Sequence, residues 1–132
     1  MDTQAPKPAA RKKILWIEDD KLLGAIISEK FKESKCELVL VKTGEEAFSA
    51  LEKFVPDGIV VDLLLPNGMN GFDVLKRISD DKRLGSVPKM VLSNLSREED
   101  RAKARQLGVE KFFVKASLSL EETVKEMCKL CV

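Results

Sequence analysis

A doubly wound α/β domain with a five-stranded parallel sheet and five helices is predicted by three features of this 132-residue chain. Strand-like apolar runs alternate with helical patterns five times along the sequence. Several of those runs are continuously apolar rather than alternating, as parallel strands covered on both faces are. The segments between them open with helix-capping signals, and the length suits one well-packed core.

The elements follow in order. Met1 to Ala10 are rich in Pro and Ala without an apolar period, so residues 1–11 are expected to form a disordered leader and 12–132 the domain. Strands are expected near Ile14–Glu18, Leu38–Lys42, Gly58–Asp62, Lys89–Ser93 and Lys111–Val114. Thr43, Ser96 and Ser119 each stand three residues before a Glu, the capping-box spacing that satisfies orphan N–H groups at a helix start. Asp20 and Asn70 are expected to cap two more helices.

Apolar stripes at helical spacing predict the buried faces. They are Leu22, Leu23, Ile26, Ile27 and Phe31; Ala47, Ala50, Leu51 and Phe54; Val74, Leu75 and Ile78; and Leu120, Val124, Met127 and Cys131. The fourth helix, about Arg97 to Leu107, has only Ala102, Ala104 and Leu107 to bury, which predicts low local stability.

Composition removes several function classes. Lys+Arg 23 against Asp+Glu 22 gives a net charge of +1, which argues against nucleic-acid or anionic-membrane binding. No apolar run reaches the length of a membrane span, and a cytoplasmic location is expected. With no histidine, Ser-His and Cys-His nucleophile pairs and His-containing zinc sites are excluded. Cys36, Cys128 and Cys131 are read as ordinary thiols of a reducing compartment, because Cys128 and Cys131 lack a second ligand pair.

Four apolar runs each end in a residue suited to phosphoryl chemistry. They deliver Glu18, Asp19 and Asp20; Asp62; Ser93; and Lys115. A parallel sheet gathers the carboxyl ends of its strands at one edge, where such folds bind ligands. Glu18 and Asp19 are hard oxygen ligands suited to Mg²⁺. Asp62 ends the most apolar run, where an ionised carboxylate is costly unless a metal and Lys115 compensate it.

With these motifs in place, the chain resembles the receiver domain of bacterial two-component response regulators, including the single-domain chemotaxis type. The resemblance is carried by Ile17-Glu18-Asp19-Asp20, Val61-Asp62 with Pro66 four residues on, Gly71-Phe72-Asp73-Val74-Leu75, Leu92-Ser93-Asn94 and Val114-Lys115, and covers about Lys12 to Leu130. It implies a flavodoxin-like strand order of 2-1-3-4-5. It also implies that Asp62 takes a phosphoryl group from a sensor histidine kinase or histidine phosphotransfer protein. Asp19 and Asp62 would bind Mg²⁺ directly, Glu18 through water, with the backbone carbonyl of Leu64 as a further ligand. Lys115 would pair with phosphate oxygens, Ser93 would hydrogen-bond the new phosphate, and Phe112 would be the aromatic switch. An unidentified downstream protein would read the face made by helix 4, strand 5 and helix 5 of a monomer or weak dimer. Such a chain is a signalling switch rather than an enzyme.

Three departures from the family pattern stand out. Ala116 follows Lys115 where the family usually has proline, which leaves that bond trans or strained, since a cis non-proline bond costs ~2.5–4 kcal/mol. The turn from Asn67 to Gly71 is one residue longer than the common form, and Asn94 replaces a small residue after Ser93. The alternative function is a receiver-like interaction module without phosphotransfer.

Overall fold

The computed structural model describes residues 11–66, 68–95, 97–116 and 119–130. Its strands are β1 (Lys12–Ile17), β2 (Cys36–Val41), β3 (Gly58–Val61), β4 (Lys89–Ser93) and β5 (Val109–Val114). They alternate with helices α1 (Lys21–Lys32), α2 (Gly44–Leu51), α3 (Gly71–Ser79), α4 (Glu98–Gln106) and α5 (Leu120–Leu130). A short 3₁₀ turn at Lys82–Leu84, held by the Asp81 carboxylate accepting from Arg83 N at 2.9 Å, was not expected from the sequence.

All pairings are parallel and the order is β2-β1-β3-β4-β5. β3 and β4 are buried along their whole length, which accounts for their unbroken apolar runs. The pleat sends alternate side chains to two cores. Leu15, Ile17, Val61 and Val91 meet α2, α3 and α4 on one face, while Ile14, Trp16, Val60 and Met90 meet α1 and α5 on the other. Trp16 packs edge-on against Phe31 of α1, with centroids 5.8 Å apart. Among the described residues no helix is long and apolar enough to cross a membrane.

The caps form largely as the sequence implies. Asp20 accepts from Leu23 N at 3.0 Å, Thr43 from Glu46 N at 3.1 Å and Ser119 from Glu122 N at 3.2 Å. Asn70 and Asp73 make a reciprocal capping box. At Thr43 the box is only half made, because Glu46 reaches back to Lys42 N at 2.9 Å instead. Ser96, Asn67, Cys131 and residues 1–10 of the expected leader lie outside the described residues.

Three sequence expectations need correction. Leu22 and Ile26 are 74% and 40% exposed, because α1 turns the Gly24, Ile27 and Phe31 face inward and the two lie off it. Ala102 is exposed on α4, and Asp100 takes the buried place beside Ala104. β5 starts at Val109, two residues before the expected start; Val109 pairs with Lys89, and an irregularity between Lys89 and Met90 shifts the register. No peptide bond in the described residues is cis, so Lys115–Ala116 is trans.

Candidate functional site

Four strand ends bring the predicted side chains to one edge of the sheet. Glu18 and Asp19 follow β1, Asp62 follows β3, Ser93 is the last residue of β4 and Lys115 follows β5. The backbone ladder continues past the strands and fixes these positions. Glu18 N donates to Val41 O at 2.9 Å, Asp62 N to Ile17 O at 3.3 Å and Lys115 N to Ser93 O at 3.1 Å.

Asp62 is 4% exposed and each of its carboxylate oxygens has a donor. Lys115 Nζ donates to Oδ2 at 2.7 Å and Leu64 N donates to Oδ1 at 3.0 Å. Lys115 Nζ also stands 2.7 Å from Glu18 Oε1. That contact is an ion pair without hydrogen-bond geometry, so Glu18 Oε1 is buried with no hydrogen-bond partner. Glu18 Oε2 accepts from Asp20 N at 3.3 Å.

Burial holds the Glu18 carboxyl above its ordinary range, the Asp62 charge adds to this, and Lys115 only partly offsets it. Burial alone would lower the Lys115 ammonium, but its hydrogen bond to Asp62 and its ion pair with Glu18 outweigh that and the net shift is upward. One contact thus raises the lysine without lowering Glu18, since desolvation dominates the more deeply buried partner.

One oxygen from each of Glu18, Asp19 and Asp62 lies within 4.8 Å of the others. Counted by formal charge, Glu18, Asp19, Asp62 and Lys115 sum to −2 (−3 + 1). Clustered carboxylate oxygens with one buried oxygen left unbonded fit a hard divalent cation.

Ser93 is fully buried, and its Oγ accepts from Leu95 N at 3.2 Å. Register places Ser93 opposite Val114 and Val91 opposite Phe112, so Ser93 and Phe112 share one face of the sheet. Phe112 is half-buried, with the Arg101 guanidinium 4.9 Å from its ring centre. Leu64 turns a 55%-exposed side chain outward while its N–H points back to Asp62.

Sequence reading overlooked the part played by Gly71. A Cβ there would meet Asp62 O at 2.3 Å and Leu63 Cα at 2.4 Å, and its own N–H donates to Leu63 O at 3.1 Å. The start of α3 therefore presses directly on the backbone that carries Asp62. The signal available in the sequence was a glycine placed immediately after a helix cap.

Comparison with known proteins decides the family. Residues 14–127 match the response regulator receiver domain. The chain belongs to the response regulator receiver family. The Regulator of RpoS of Escherichia coli K12 is 31% identical over 126 residues, covering 96% of this chain and 36% of that protein, so the chain spans about a third of this relative. The crystal structure of a phosphorylated cyanobacterial phytochrome response regulator, RcpA, is similar with TM-score 0.78 and 32% identity, over 92% of this chain and 91% of that one. The Mn²⁺-bound form of response regulator Rcp1 aligns with TM-score 0.73 and 27% identity, over 91% and 88% of the two chains. As a receiver, the chain is a two-component signalling domain, and the predicted strand order is that of its family.

Proposed function

We propose that this receiver is a working phosphoacceptor switch whose nucleophile is Asp62. The observation that carries the reading is the grip on that carboxylate: it is buried, oriented by one donor on each oxygen, and surrounded by the acids and ammonium the reaction needs.

A carboxylate oxygen of Asp62 attacks the phosphorus of a phosphohistidine on a sensor kinase or phosphotransfer protein. A P–O bond forms, the donor's P–N bond breaks, and the imidazole leaves with the bonding pair. Held in place before the donor arrives, Asp62 needs little reorganisation to reach an in-line geometry. Lys115 moves from Asp62 Oδ2 to the arriving phosphoryl oxygens without leaving the site. The Ser93 Oγ already accepts from Leu95 N, which leaves its proton for a phosphoryl oxygen. Glu18, Asp19 and Asp62, with the Leu64 carbonyl, would hold Mg²⁺. Bound there, the ion supplies charge neutralisation between anionic nucleophile and anionic phosphoryl group.

Phosphorylation adds about −1.5 to −2 charges at one buried point. Drawing Ser93 toward the phosphate pulls on the Asn94 loop that leads to α4, and frees room for Phe112 on the same face. A downstream protein would read the altered α4–β5–α5 surface. Two relatives favour this reading, since one was solved phosphorylated and the other with Mn²⁺ bound.

The test is mass spectrometry after incubation with Mg²⁺ and acetyl phosphate. The wild type should gain one base-labile phosphoryl group, and Asp62→Asn should gain none. A wild type that stays unmodified would leave an interaction module without phosphotransfer.

A further inference from the structure

α4 is joined to its neighbours mainly by charge. Only Asp100 and Ala104 are buried, and the residue at its N-cap, Arg97, makes no capping bond. Beside its few apolar contacts, Ala104 and Leu107, two cations lie over aromatic rings on either side. Lys103 Nζ is 4.4 Å from the ring centre of Phe72 on α3, and the Arg101 guanidinium is 4.9 Å from that of Phe112 on β5. Phe112 shares a sheet face with Ser93, so the second contact links α4 to the face of the sheet that carries Ser93.

We infer that Arg101 is a positioning residue for the switch: stacked on Phe112, it holds that ring in its half-buried place and sets how readily the domain enters its phosphorylated state. The inference rests on the phosphoacceptor reading above. The stack is present in the arrangement in which Lys115 grips Asp62, and a ring turning toward Ser93 would draw away from the guanidinium. A contact present in one state only biases the equilibrium by its own free energy. An exposed cation–π contact of the usual strength corresponds to about a 2- to 5-fold shift. Coupling is reciprocal, so loss of the stack should strengthen binding of anything that favours the phosphorylated form by the same factor.

Beryllofluoride with Mg²⁺, which mimics the phosphoryl group, is the probe. Arg101→Gln should bind it about 2- to 5-fold more tightly than wild type, while Arg101→Lys, which keeps a cation over the ring, should restore most of the wild-type affinity. Lys103→Gln loosens α4 on its other side without touching Phe112 and should leave the affinity unchanged. In protein carrying 4-fluorophenylalanine, with the Phe112 signal assigned by Phe112→Leu, the resting ¹⁹F resonance of Arg101→Gln should move toward the position wild type takes with beryllofluoride. Equal affinity and an unmoved Phe112 signal in Arg101→Gln would overturn the inference and leave the phosphoacceptor reading intact. An equal gain in Lys103→Gln would also overturn it, by assigning the effect to α4 loosening in general. A wild type that ignores the probe altogether would bring down the phosphoacceptor reading, and the Arg101 inference with it.

Discussion

α3 and α4 are each nine residues long and pack on the same face of the sheet, yet they are held by different forces. α3 starts with a complete capping box and buries Gly71, Val74, Leu75 and Ile78. α4 buries Asp100 and Ala104, and is otherwise surrounded by ion pairs such as Arg97–Glu99 at 3.1 Å and Arg105–Glu98 at 3.4 Å. Exposed pairs of that kind contribute about 0–1 kcal/mol each, whereas each fully buried aliphatic side chain contributes ~1.5–3 kcal/mol. Moving α3 would open the core behind Asp62. Moving α4 exchanges one set of solvated contacts for another. The contrast separates a firmly anchored helix from a weakly anchored one on the same sheet face.

Truncation of one anchor in each helix should expose the difference most strongly. Ile78→Ala should cost ~2–5 kcal/mol in urea unfolding, because Ile78 is fully buried in the core and leaves a cavity. Leu107→Ala, at the half-buried end of α4, should cost about 1 kcal/mol. Equal losses would erase the distinction between the helices.

A smaller effect should come from Gly71→Ala, which adds a single carbon at the contact between α3 and the site. With backbone atoms only 2.3 Å and 2.4 Å from that carbon, neither flexible side chains nor rotamer changes can relieve the clash. Overpacking of this kind costs ~1–3 kcal/mol. Acetyl phosphate labelling of Asp62 should fall by more than the stability loss explains, since the displaced atoms include the Asp62 carbonyl. Labelling at the wild-type rate would mean that α3 is not the platform of the site.

Much of this arrangement was legible in the sequence, and the gaps have physical causes. Strand-end placement of Glu18, Asp19, Asp62, Ser93 and Lys115 followed from apolar runs that end in polar residues, because in a parallel sheet those ends converge. Side-chain period alone could not tell that Leu22 and Ile26 face solvent, since an apolar residue is tolerated at a surface and only packing fixes which face turns inward. Asp100 was not among the residues expected to be buried; it is paired with Arg97, whose Nε lies 3.1 Å away and whose own side chain stays 68% exposed. The tight contact at Gly71 and the burial of Lys89 were missed for a related reason. A glycine after a cap only hints at close backbone approach, and burial of a lysine head is a tertiary fact without a local pattern.

Lys89 offers the finest test of the α4 side, because it lies beneath the end of that helix. It is 4% exposed, its Nζ donates to Val87 O at 3.1 Å, and a Cβ on Gly108, just past α4, would stand 3.8 Å from it. Burial pushes this ammonium below its usual 10.5, against the opposing pull of Glu110. From the depressed folded value up to 10.5, the unfolded chain binds more protons than the folded one at this group. In that window the contribution of Lys89 to stability rises with pH; below it both states are protonated, and the burial cost is felt in full without a slope. Lys89→Met removes both cost and slope, while every other titrating group, Lys115 included, is common to the two proteins and cancels in the difference. Urea midpoints measured in parallel should therefore show the variant's advantage shrinking as pH climbs into the window. A difference that stays flat with pH would mean that the lysine head reaches water, and that α4 ends over solvent rather than over a buried charge.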